Sequence, residues 1–205
     1  MTCAECKTMC MLDTHSRRIE WARAVLLGLY LFVLCSLLAS LEIQIEGPNG
    51  WAADLPTWRT TNPAFTWIFG GKPVTGYHIF LNLTLIAFFH FPLLFVRPSI
   101  RAESRILFAY SAISVVWDFL WFAYNPYFGM SRYGPEQVWW FKNWFLGVPV
   151  DYFVGLAVSL GFWLLPVYFR QDRLVKRLVE WGAATGVLVS LSAAAAAAIY
   201  LVNVG

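Results

Sequence analysis

The stretch ILFAYSAISVVWDFLWFAY, Ile106–Tyr124, is apolar or aromatic apart from two serines and one carboxylate, and it is long enough to cross a bilayer as a helix. Asp118 is the exception that matters. A carboxylate held at that depth is costly in hydrocarbon, which makes it a candidate functional residue. Ser111, Ser114, Asp118, Trp121 and Asn125 recur at spacings of three and four, so a helix places them on one face. That face must look into protein or water rather than lipid.

Working outward, the whole chain reads as membrane protein. Of its 205 residues 59% are hydrophobic and 13% charged, against about 25% charged in a soluble domain. Five segments qualify as spans: Ala24–Ile43, Thr75–Val96, Ile106–Tyr124, Val150–Tyr168 and Leu178–Val202. The expected architecture is an all-α integral membrane bundle of about five helices, with a tail at 1–23 and one membrane domain at 24–205. A net charge of +3 gives no support to nucleic-acid binding.

Orientation follows from the cations. Eleven of the fifteen Lys and Arg residues fall in the tail (Lys7, Arg17, Arg18, Arg23) and in two short links (Arg97, Arg101, Arg105; Arg170, Arg173, Lys176, Arg177). Only Arg59, Lys72, Arg132 and Lys142 lie on the other side. The positive-inside rule then puts the N-terminus in the cytoplasm and the C-terminus outside, in a bacterial inner membrane. Arg17 and Arg18 precede an apolar segment, but it is longer than a signal core and lacks a clean cleavage site, so it reads as an uncleaved first helix. The two outer connections are long, aromatic and rich in Gly and Pro. They carry Trp51, Trp58 and Trp67, and Trp139, Trp140 and Trp144. Such rings suit a membrane interface, and also a lid or lateral entrance for an amphiphilic ligand.

Polar residues converge in the outer half of the membrane. His78 and Asn82 share a face near the start of the second span, Asp118 lies about two turns below the outer end of the third, Asp151 opens the fourth, and Glu42 closes the first. Two chemistries fit. His78, Asn82, Asp118 and Asp151 form a ligand set suited to zinc, iron or manganese, and Asp118, His78 and Asp151 also form a candidate acid–base group. Interhelical hydrogen bonding explains Asn82 and the serines equally well, and N-capping would explain Asp151. His90, deeper and rotated away, is a candidate axial ligand for haem or chlorin, or a hydrogen-bond donor to the backbone freed by Pro92. Cys3, Cys6, Cys10 and His15 supply four soft ligands for zinc on the reducing side, while Cys35 reads as a small core residue.

No phosphate-binding loop, dinucleotide fingerprint, HExxH or Gly-x-Ser-x-Gly occurs. Gly182 and Gly186 allow the last helix (178–202) to pack within the bundle or on another subunit, as a homo- or hetero-oligomer. Three functions remain. The first is a membrane-embedded enzyme acting on a lipid, quinone or other apolar molecule. The second is a non-catalytic or cofactor-binding subunit, and the third a small ion- or proton-coupled carrier.

Overall fold

The structure, a computed structural model, describes the backbone of residues 3–204 and the side chains of 20–202 apart from Ile68. Five helices are long and apolar enough to cross a membrane. They belong to α1 (Cys3–Glu46), α3 (Gly76–His90, continued by a 3-10 turn to Leu94), α4 (Ile100–Tyr124), α5 (Val150–Tyr168) and α6 (Leu174–Val204). A short α2 (Pro63–Thr66) and two small antiparallel ribbons lie in the long connections: β1 (Arg59–Thr60) with β2 (Val74–Thr75), and β3 (Trp144–Phe145) with β4 (Val148–Pro149).

Local chemistry sets the helix ends. Gly47 stops α1 by turning left-handed (φ 67) and returning its N–H to Ile43 O at 2.9 Å. Thr75 caps α3 by accepting from His78 N, and Ser99 caps α4 by accepting from Ala102 N, each at 3.2 Å. Three of the helices, α1, α4 and α6, outrun the apolar stretches that define the expected spans. α4 begins at Ile100, so Arg101 and Arg105 ride on its first turns, and α6 likewise takes in Lys176 and Arg177. Hydropathy stops at a charge, whereas the backbone ladder continues until a cap or a proline ends it. Residues 3–23 continue α1 as helical backbone. The side chains of Cys3, Cys6, Cys10 and His15 lie outside the described residues.

α4 is the central staff. It packs against α1, α5, α6 and α3, and 56% of its span is buried against 6% for α3. Phe108, Ala112, Ile113, Leu120 and Phe122 are fully enclosed, meeting Leu31, Cys35 and Ala39 from α1 and Leu188 from α6. Two glycines permit close approach: a Cβ on Gly28 would lie 2.4 Å from Ala184 O, and one on Gly155 would lie 2.3 Å from Val115. Within the chain Gly182 and Gly186 have no close neighbour, and α6 meets α1 through Ala184 instead, beside Gly28. The aromatic connections also divide. Trp140 and Phe141 are buried and extend the core beyond α4, with Trp140 stacked on Phe122 at 5.8 Å, whereas Trp58, Trp67 and Trp139 are exposed.

Candidate functional site

The site forms where α1 ends and α3 begins. Glu42 and Glu46 stand one turn apart on α1, which puts both carboxylates on one face. Glu46 is held in place by the connection that follows it. Its Oε1 accepts from Ala52 N at 2.5 Å, Arg59 donates to Ala52 O, and Trp51 Nε1 donates to Pro73 O at 2.8 Å. Trp51 and Ala52 both adopt positive φ (47 and 51), a conformation that costs about 1–3 kcal/mol per non-glycine residue and persists only when its surroundings impose it. Here the imposed turn delivers the Trp51 ring onto His78, with centroids 4.2 Å apart.

His78 is fixed from both sides. Thr75 Oγ1, the α3 cap, lies 2.7 Å from Nδ1, which directs Nε2 at Glu46 Oε1, 3.6 Å away. That separation is too long for a hydrogen bond. It is close to the spacing of about 3.4 Å that two donors adopt when they share a tetrahedral cation at about 2.1 Å. Glu42 completes the group, accepting from Tyr77 Oη at 3.3 Å. Ligand atoms of Glu42, Glu46 and His78 all lie within 4.8 Å of one another, and all three residues are buried. The Thr75 contact is the kind of outer hydrogen bond that orients a ligating imidazole.

A second group faces the first across a cavity of about 390 Å³. Asp118 of α4 accepts from the Tyr152 hydroxyl of α5. Asp151 pairs with Lys72 at 3.1 Å, and the Lys72 ammonium also lies over the rings of Phe141 (3.8 Å) and Trp51 (5.0 Å). Glu42, Glu46, Asp118 and Asp151 all line this cavity, and Lys72 is the one Lys or Arg among its described lining residues. Trp117 and Trp121 line it too; their indole nitrogens are buried and have no hydrogen-bond partner among the described residues.

His78, Asn82, Asp118 and Asp151 all line this cavity, in a grouping other than the one expected from sequence. The compact ligand group is Glu42, Glu46 and His78. Asn82 is engaged within its helix and across to α4: its Nδ2 donates to His78 O of α3 and its Oδ1 accepts from Tyr110 of α4, both at 2.7 Å. Asp151 is no N-cap, since Pro149 holds that position without a side-chain bond and Asp151 turns to Lys72. His90 lies elsewhere, with both ring nitrogens engaged, Nδ1 by Ile86 O at 2.7 Å and Nε2 by Glu103 at 3.0 Å. It offers no free nitrogen to haem or chlorin in this arrangement. Glu46, Lys72 and Tyr152 are the members that sequence reasoning missed. Of these, Glu46 was within reach through its four-residue spacing from Glu42.

The chain is therefore a multi-pass helical protein with a buried Glu–Glu–His cluster. Comparison with protein-family models, curated proteins and solved structures returned no match.

Proposed function

We propose that the chain is a membrane-embedded enzyme that holds one divalent cation (zinc, iron or manganese) between Glu42, Glu46 and His78 and acts on an apolar or amphiphilic molecule in the adjoining cavity. The observation that carries this reading is the convergence of two carboxylates and one oriented imidazole within 4.8 Å, beside further carboxylates opposed by a single lysine. Carboxyl groups gathered in a low-dielectric interior need a compensating cation or bound protons. The imidazole makes a metal the better fit. The bound cation would supply Lewis acidity toward a water or substrate oxygen. Asp118, across the cavity and held by Tyr152, is the group placed to exchange a proton there.

The charge bias of the links supports placing this end of the bundle outside a bacterial inner membrane, with the basic links in the cytoplasm. Elemental analysis tests the site. Protein purified in mild detergent, incubated with zinc, iron(II) or manganese and desalted, should retain about one metal per chain. Glu46→Gln keeps an acceptor for Ala52 N but removes a ligand charge, and His78→Gln removes the imidazole. Both variants should elute as the native species and lose the metal. Native protein that holds no more metal than His78→Gln would remove this reading.

A further inference from the structure

We infer, building on the cation site just proposed, that the cavity receives a single-chain amphiphile with an uncharged, oxygen-bearing head, which enters sideways from the bilayer between α3 and α5. Shape is the first ground. On α5 the lining residues Asp151, Gly155, Val158 and Phe162 follow one another at spacings of four, three and four, a single helical stripe. From Asp151 to Phe162 that stripe descends about 16 Å into the membrane. α4 supplies the facing wall through Asp118, Val115, Ser114 and Ser111. Both serine hydroxyls turn back on their own helix, to Leu107 O at 2.7 Å and Tyr110 O at 2.8 Å, so they offer the trough no free donor. The cavity is thus ionic at one end and hydrocarbon-like along its length.

The opening is the second ground. α5 lies hard against α4 at Gly155, while the main packing of α3 is also on α4. The two helices flank α4 and leave the trough between them. Val158, a lining residue, is 43% exposed, and α3 is the least buried of the five spans. A chain already in the bilayer reaches the trough without crossing water.

The head group follows from charge. Four carboxyl groups line the cavity; with the proposed cation offsetting Glu42 and Glu46 and Lys72 paired with Asp151, Asp118 still leaves an excess of negative charge to which a phosphate or carboxylate would add. A neutral oxygen meets no such repulsion. It can approach the cation as a neutral ligand.

Photolabelling with hexadecanol bearing a mid-chain diazirine, on native protein in phosphatidylcholine nanodiscs, tests the inference. Labelling should saturate and fall on Val158 and Phe162. Hexadecanol should compete, whereas hexanol, palmitate and hexadecyl phosphate should compete poorly. Ser114→Phe, which fills the trough from the α4 wall, should lower saturable labelling by about tenfold while metal content stays native. Unsaturable labelling spread over the outer faces of α1 and α6 would overturn the trough, and equal competition by hexadecyl phosphate would overturn the head assignment. The cation reading fails separately: a native protein without metal that still labels saturably at Val158 loses the metal and keeps the trough. A metal-loaded protein with diffuse labelling does the reverse.

Discussion

The two ends of the bundle both gather charge, and they gather it differently. At the end where α5 passes to α6, Arg177 is almost wholly enclosed, its Nε 3.1 Å from Asp172, its Nη1 4.0 Å from Glu180, and its guanidinium 4.8 Å over the Trp163 ring. Trp163 returns its indole N–H to Arg177 O at 2.9 Å, Lys176 reaches Glu20 at 2.5 Å, and Arg101 meets Asp172 at 3.6 Å. Glu20, Asp172 and Glu180 there answer Arg101, Lys176 and Arg177, and the pairs tie α1, α4 and α6 to one another. At the Glu46 end, four acids surround a cavity with one lysine. In the first, matched network each named acid has a cation beside it and the pairs join helices, although Arg177 Nη1 and Nη2 have no hydrogen-bond partner among the described residues. The second, unmatched network is incomplete until a cation or protons enter.

Breaking the matched end should have the largest effect on stability. Arg177→Ala leaves Asp172 and Glu180 without their buried partner and strips the face of Trp163. Removing one member of a buried pair costs about 3–5 kcal/mol. We expect a loss of that order in detergent unfolding followed by tryptophan fluorescence, with metal content unchanged in whatever fraction remains folded. Native-like unfolding of Arg177→Ala would mean that this end does not hold the bundle together, and the contrast would collapse.

The unmatched end should respond with the opposite sign. Glu42→Gln removes one carboxylate from an acidic excess and keeps its shape, so with chelator present the variant should be as stable as the native chain or more so. With metal added the order should reverse. A ligand at a hundred times its Kd stabilises the state that binds it by about 2.7 kcal/mol, and that increment should appear in the native protein alone. Melting curves with and without zinc check both halves. A Glu42→Gln protein that is destabilised in chelator would place this carboxylate among structural partners, like those of Arg177.

Much of this contrast is legible in the chain, and its gaps have physical causes. The five spans follow from apolar length alone, and His78, Asp118, Asp151 and Glu42 stand out because carboxylates and imidazoles are rare at such depth. Glu46 escapes because the first apolar run ends at Ile43 while the helix continues to Glu46. Lys72 is invisible locally. It reaches the cavity because the β1–β2 ribbon folds the connection back, pairing Arg59 with Thr75, and no spacing rule encodes that return. Tyr152 does not stand out in sequence, since its partner Asp118 sits on another helix. The matched network escapes for the converse reason: Arg177 looks like an ordinary basic flank in sequence, and only the packing of Trp163 encloses it.

His90 supplies the mildest test. Its pair with Glu103 at 3.0 Å is about one-third exposed on the imidazole side, in the manner of a surface ion pair, and such pairs contribute about 0–1 kcal/mol. His90→Gln keeps a polar side chain that can still meet Glu103 or the Ile86 carbonyl. We expect unfolding to shift within that range, metal content to stay native, and the visible absorption of the purified protein to stay the same. Of the two described membrane histidines, then, only His78 should matter to bound metal, because it alone directs a ring nitrogen at carboxylates around a cavity. A loss of metal or of a visible chromophore in His90→Gln would show that the two ends are coupled, and would return this histidine to the list of cofactor ligands.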